Sequence, residues 1–292
     1  MTNLLWIVFG LLELMNPTLT SWASALRTTE GRGVTSLAPE PTSFAVYLVF
    51  SCWLILIHSS YRPKGGSLYV INVNIIAIFF LAKSSMGILF VIILFLTWYT
   101  VRFGVTTSLL ISILFLFGTP VLFYSSLDFI LSIFDGTRIG NLLGYLDQVG
   151  IMGVVALDAS VNIRLEHVII PIHAFIEGGL APNGLSGFAD ASKVISPVYS
   201  DILWLSSGGD KINSWIGAVL FEGGLLGFIF LTIIVWSVYS RSQIRFIEIL
   251  CILILLFAAI PLAFSVVPLL LASLRLVKPR PFLHDQPFRS SN

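Results

Sequence analysis

Residues 212–239 read INSWIGAVLFEGGLLGFIFLTIIVWSVY, and Glu222 is the only charged side chain in the run. A helix needs about 20 consecutive apolar residues to cross the hydrocarbon core of a bilayer. This run exceeds that length, and the whole chain shares its bias. Of 292 residues, 57% are hydrophobic and 11% charged. A soluble domain carries about 25% charged residues, so the charge here is too sparse to coat a globular surface of this size. The composition points to an integral membrane protein. It excludes a disordered chain, a collagenous fibre and a secreted disulfide scaffold. A net charge of +1 offers no basic field to nucleic acid. Cys52 and Cys251 sit in separate apolar runs and read as small core residues, not as a disulfide or zinc framework.

Further apolar runs lie at 2–15, 43–60, 68–82, 86–101, 103–124 and 246–277. The last is too long for one helix and is interrupted by Pro261 and Pro268, so it divides into 246–260 and 262–277. The expected fold is all-α, a polytopic transmembrane helical bundle of about eight spans. Residues 1–124 hold spans one to five, with an outer loop at 16–42. Residues 125–211 form a long loop outside the cytoplasm, 212–277 hold the remaining spans, and 278–292 form a basic tail. Ala23-Ser24-Ala25 fits a signal-peptide cleavage site, but no Lys or Arg precedes the first run and Glu13 lies inside it. Retention as a membrane segment is therefore expected. With eight crossings, Arg62 and Lys64, Arg102, Arg241 and Arg245, and the basic tail all fall on one side, which the positive-inside rule makes cytoplasmic.

The long outer stretch holds nine of the fifteen acidic residues but only Arg138, Arg164, Lys193 and Lys211 as bases. Ile139, Leu142, Leu143, Leu146 and Val149 recur at helical spacing opposite Asn141, Asp147 and Gln148. They predict an amphipathic helix on the membrane surface. A second helix over 160–177 is capped by Asp158 or Ser160, kinked at Pro171 and ended by Gly178-Gly179. On it Arg164 and His167 share a face. A guanidinium beside an imidazole suits phosphate chemistry, because the fork pairs two phosphate oxygens and the ring exchanges a proton near neutrality. The spacing alone favours the plainer alternative, a surface helix whose charged side meets water. His167 and His173 lie on different faces, and no metal-binding, phosphate-loop or serine-hydrolase motif is present.

Glu13, Lys83, Glu222 and Glu248 lie in or beside apolar segments, where ionisable groups are costly and serve function by default. Glu13, Lys83 and Glu248 also read as markers of helix ends. Glu222 lies deeper and reads as a proton or ion site, or as a structural glutamate paired to a neighbouring helix. Gly223 and Gly227 form a small-x-x-x-small pair that permits close helix packing. Pro39-Glu40-Pro41-Thr42-Ser43 is a rigid turn that can hold Glu40 at the membrane surface. The plainer account is an ordinary capped helix start, with Thr42 or Ser43 as the cap.

Four stretches in order resemble the O-antigen polymerase and O-antigen ligase family of lipid-linked polysaccharide glycosyltransferases. They are Arg32-Gly33 with Pro39-Glu40-Pro41-Thr42-Ser43-Phe44, and Ala82-Lys83-Ser84-Ser85-Met86-Gly87. Next comes Ser160-Val161-Asn162-Ile163-Arg164 with His167, leading into Pro182-Asn183-Gly184-Leu185-Ser186-Gly187-Phe188. The fourth is Ser214-Trp215-Ile216-Gly217 through Phe221-Glu222-Gly223-Gly224-Leu225-Leu226-Gly227. The resemblance covers about residues 20 to 277 and implies a member lacking the N-terminal spans that usually precede the Arg-Gly loop. The family usually has a Thr-x-Ser-Arg type turn where this chain has Lys83-Ser84-Ser85.

The resemblance implies a multi-pass protein of the bacterial inner membrane. It would transfer a polyprenyl-diphosphate-linked oligosaccharide to an acceptor sugar outside the cytoplasm, with no cofactor. In that reaction Arg32, Lys83, Arg138 and Arg164 are the candidates to bind and stabilise the diphosphate, and Glu40 and His167 are the candidate bases. Implied partners are membrane lipids and a chain-length regulator or other glycan-assembly proteins. The alternatives are a polysaccharide or small-molecule transporter or flippase, and a non-catalytic truncated member of the same family.

Overall fold

The computed structural model describes residues 2–16, 33–103, 131–132, 138–150, 154–155, 157–205, 208–239, 243–257 and 260–277. All but Phe103 of the run expected to span at 103–124, most of the loop at 16–42 and the tail at 278–292 lie outside the described residues, as does Arg32. Among the described residues the fold is all-helical.

Helix α1 is Thr2–Met15, α2 is Pro41–His58 and α3 is Gly66–Ala77, which widens into a π turn over Ile78–Ala82. Helix α4 is Ser85–Phe103, α5 is Arg138–Val149, α6 is Ala159–Glu177 and α7 is Phe188–Ile195, continued by a 3-10 turn at Ser196–Tyr199. Helices α8 (Trp215–Tyr239), α9 (Gln243–Phe257) and α10 (Val266–Leu276) complete the order.

The centre is α2. It carries no charge before His58, and α1, α3, α4 and α10 all pack against it. The consequence is visible in its burial: 72% of α2 is enclosed, against 28% of α4. Eighteen residues at 1.5 Å rise make about 27 Å, close to the thickness of a bilayer core. By length and composition α2, α4 and α8 (the last broken within at Gly224) are apolar enough to cross a membrane, and α1, α3 with its π turn, α9 and α10 are shorter apolar helices. The eight-span expectation is thus met only at the coarser level of an all-helical chain, among the described residues, with three candidate spans.

Helix ends follow local chemistry. Ser84 Oγ accepts from Gly87 N at 3.3 Å and caps α4, and Asp158 accepts from Val161 N at 2.8 Å and caps α6. Helix α6 continues through Pro171 and ends at Glu177, before Gly178 and Gly179. Buried Glu248 on α9 accepts a short hydrogen bond from the Tyr61 hydroxyl, which in turn accepts from Trp53 Nε1 at 3.2 Å. Glu248 therefore ties α9 to the turn after α2 rather than marking a helix end.

The reading of 212–239 as one span needs correction. Gly224 (φ 53°, ψ −133°) breaks α8 in two. The rings of Trp215 and Phe230 lie 6.4 Å apart, whereas fifteen residues of straight helix would separate them by about 22 Å. The halves 215–223 and 225–239 therefore fold back on each other. The break frees backbone groups, and the loop after α6 satisfies them: Leu225 N donates to Leu180 O at 2.8 Å, and Asn183 N donates to Phe221 O at 2.9 Å. Gly227, expected to meet another helix, packs on the first half of its own. A Cβ there would lie 2.0 Å from Val219 O.

Candidate functional site: a cationic pocket at three helix starts

Three helices begin around one small polar pocket, of about 50 Å³. Glu40, Pro41 and Thr42 come from the start of α2, and Ser84 and Ser85 from the start of α4. Ser160 and Arg164 come from the first turns of α6, and Gly33, Ala82 and Lys83 close the ring. Helix starts carry a partial positive charge that favours anions, and at two of the three an N–H group is already capped, Gly87 N by Ser84 and Val161 N by Asp158. Lys83 and Arg164 add two cations against the single carboxylate of Glu40. The lining therefore carries a net positive charge, which favours an anion.

Each wall has a local cause. Lys83 ends the π turn in the left-handed region (φ 45°), with its N–H donating to Ile78 O at 3.1 Å. That turn reverses the chain and leaves the lysine exposed on the rim. Arg164 is half-buried, and its Nη2 donates to Thr42 Oγ1 at 3.3 Å, bridging 122 residues. Ser84 Oγ reaches the same Thr42 oxygen at 3.4 Å. Thr42 therefore does not cap α2. Glu40 occupies the cap position, in extended backbone with no side-chain cap hydrogen bond, and Pro41 supplies the first turn. The plainer account of this turn, with Thr42 or Ser43 as cap, is not what the chain does.

The strap before Glu40 is fastened at both edges. Val34 N donates to Leu81 O at 2.9 Å. On the other side Glu13, 1% exposed, accepts from Thr35 N at 3.0 Å and Ser36 N at 2.6 Å, and from Thr35 Oγ1 at 3.0 Å. Glu13 is therefore an internal clamp from α1. Gly33 is required by contact: a Cβ would stand 2.0 Å from Ala82 O.

Of the residues singled out from sequence, Glu40, Lys83 and Arg164 are brought together. His167 is not a lining residue. It is 1% exposed, its ring stacks on Phe188 at 4.9 Å between centroids, and neither ring nitrogen has a hydrogen-bond partner among the described residues. Burial pushes its pKa down to about 4, against a smaller upward pull from Glu166. It is a neutral imidazole in the core between α6, α7 and α8. Arg138 opens α5, and its side chain lies outside what the structure describes. The surface-helix alternative for α6 fails as well. Asn162, Glu166 and His167 are all buried, because α7 and α8 cover that side. Glu166 accepts from Ser192 Oγ at 2.5 Å. Asn162 binds the 202–205 loop, accepting from Trp204 N at 3.2 Å and donating to Ile202 O at 2.6 Å. Sequence reasoning missed Thr42 and Ser160 as pocket residues. Their only signal was a hydroxyl near each helix start.

No protein-family model, characterised protein or solved structure matches this chain.

Proposed function

We propose that the chain is a glycosyltransferase of the bacterial inner membrane that moves a polyprenyl-diphosphate-linked glycan onto an acceptor sugar hydroxyl outside the cytoplasm. The observation that carries the reading is the convergence of Glu40, Lys83 and Arg164 on a pocket ringed by three helix starts. In this reaction the acceptor oxygen attacks the anomeric carbon from the face opposite the diphosphate. The bond from that carbon to the diphosphate oxygen breaks, the diphosphate leaves with the electron pair, and the anomeric centre inverts. Charge grows on the departing diphosphate, where Lys83, Arg164 and the helix N–H groups stabilise it. Glu40 takes the acceptor proton. His167 has no part in this scheme, because it is neutral, buried and off the pocket wall. The test replaces Arg164 by Ala and measures glycan chain length in cells. Losing a charged donor of this kind lowers turnover by about 10²–10³-fold, so short chains are expected. Full-length chains from a well-expressed variant would overturn the assignment.

A transporter is the second reading, and the break in α8 favours it. Many transporters bind substrates and ions at discontinuous helices, and the charged Glu222 lies two residues before the break at Gly224. In sealed vesicles, Glu222→Gln would then stop uptake and leave glycan length unchanged.

A further inference from the structure

The buried apolar side chains fall into two groups. The larger is built on α2 and fills the bundle. The smaller joins Ile170 and Ala174 of α6, Phe188 and Ile195 of α7, Leu203, Ile212, and Ala218 and Phe221 of α8. Stability is not uniform across a structure, and a small separate core can open while the rest of the fold stays closed. His167, which the reaction above does not use, sits in this smaller core.

Its place there is costly. The ring is 1% exposed and stacks on Phe188, and Phe188 in turn meets Phe221 edge-on with centroids 6.0 Å apart. Neither ring nitrogen has a hydrogen-bond partner among the described residues. A neutral imidazole leaves one donor and one acceptor unmet, whereas an imidazolium leaves two donors and a charge unmet. Protonation therefore raises the cost of burial, and contact with water removes it.

The charged groups around the ring do not pair with it. On α6 the adjacent Glu166 accepts from Ser192 Oγ, and its pull on the ring is smaller than the effect of burial. Arg164, three residues earlier on α6, is itself a cation. On α7, Asp190 and Lys193 pair with each other at 2.9 Å on the exposed side. The segment before α8 brings exposed Asp210, which accepts from Ala189 N at 3.2 Å, and exposed Lys211. The first half of α8 carries only Glu222, half-buried beside the break. Helix α6 is held on its other sides by α8 and by the bond from Arg164 to Thr42. Helix α7 has eight residues, with Asp190, Lys193 and Val194 open on its outer side. It is the element that can leave.

We infer that α7 is an acid-released cover: a proton on His167 frees α7 from α6 and from the first half of α8 while the bundle around α2 stays folded. Released, α7 uncovers Phe188, Ile195 and the buried side of α6. The loop charges predict that this part of the chain lies outside the cytoplasm, where pH follows the medium. The device does not depend on the glycosyltransferase reading.

The experiment is hydrogen exchange read by mass spectrometry on the full chain in nanodiscs, at pH 7.5 and 5.0, corrected for the intrinsic effect of pH on exchange. With α7 in place the ring titrates at about 4, and once released it returns to its ordinary 6.5. The opening constant over 188–199 should therefore rise about 30-fold from pH 7.5 to 5.0, with α2 unchanged. His167→Leu should keep α7 protected at both pH values, and Glu166→Gln should keep the wild-type rise. If the Leu variant leaves α7 unprotected at pH 7.5, the wild type still decides. A rise confined to 188–199 that follows one proton supports the device, and no rise, or a rise shared by α2, overturns it. A rise that persists in a well-protected His167→Leu, or that vanishes in Glu166→Gln, overturns the assignment to His167.

Discussion

Replacing Gly33 by Ala tests whether the strap before Glu40 sets the pocket's geometry. The added Cβ would stand 2.0 Å from Ala82 O and 2.4 Å from Leu81 O. Both atoms belong to the backbone of the π turn, so no side chain can rotate aside. Real Cβ atoms essentially never approach a neighbour below 3.0 Å, so the strap must retreat by about 1 Å. That movement stretches the 2.9 Å bond from Val34 N to Leu81 O beyond the range in which such a bond holds. Glu13 grips Thr35 and Ser36 just beyond, so the shift cannot spread evenly along the strap. Losing one buried backbone pair costs about 1–3 kcal/mol. A 1 Å displacement near a reacting centre costs about 10²-fold in rate. The assay is glycan chain length in cells together with the unfolding temperature of the purified chain. Gly144→Ala on α5 serves as control, because nothing lies within 4 Å of its added Cβ. Wild-type chain length and wild-type unfolding temperature in Gly33→Ala would refute the reasoning, since the overlap would then have been absorbed at no cost.

Three other perturbations have defined outcomes. Lys83→Ala should shorten glycan chains in the same direction as Arg164→Ala, and Arg164→Lys should restore part of the loss, because a point charge survives without the fork; chain-length analysis of the three variants decides. His167 has a folded pKa of about 4 and an ordinary value of 6.5. As pH falls below 6.5 the unfolded chain takes up a proton that the folded chain refuses, so stability drops until about pH 4, by roughly 3 kcal/mol. His167→Leu should flatten that part of the stability–pH curve, as measured by unfolding temperature between pH 7 and 4.5. Gly224→Ala should lower stability by at least about 2 kcal/mol, since it adds backbone strain and a Cβ 2.5 Å from Leu180 O, whereas Gly223→Ala, with open space around it, should be nearly neutral in the same measurement.

Much of the helical order was legible because its causes are local. An apolar run without charge makes α2 and α4, Asp158 opens α6, and Gly178-Gly179 follows its end. What escaped depends on partners distant in sequence. A glycine in an apolar run reads as a packing surface. Only the loop at 180–183, docked on Phe221 and Leu225, makes Gly224 a break. Glu13 reads as a helix-end charge until Thr35 and Ser36 return to it across more than twenty residues. Arg164 and His167 share a face on a helical wheel, yet three residues still separate them by about 60°. That is enough to send one side chain to the pocket and the other against Phe188.

The pocket residues were half-legible for a physical reason. Helix starts select Ser, Thr and Pro because the first N–H groups need acceptors and the first turn tolerates a missing donor. An anion site needs those same N–H groups turned toward a common point. The sequence signals for a capped start and for a phosphate cradle therefore overlap, and Pro41-Thr42 or Ser84-Ser85 alone does not separate them. Convergence separates them. Thr42 receives Arg164 and Ser84 in place of its own helix's N–H groups, so its hydroxyl serves the space between helices. That makes Thr42→Val the more discriminating variant: a cap would lose stability and keep its activity, whereas a pocket hydroxyl would lose activity first.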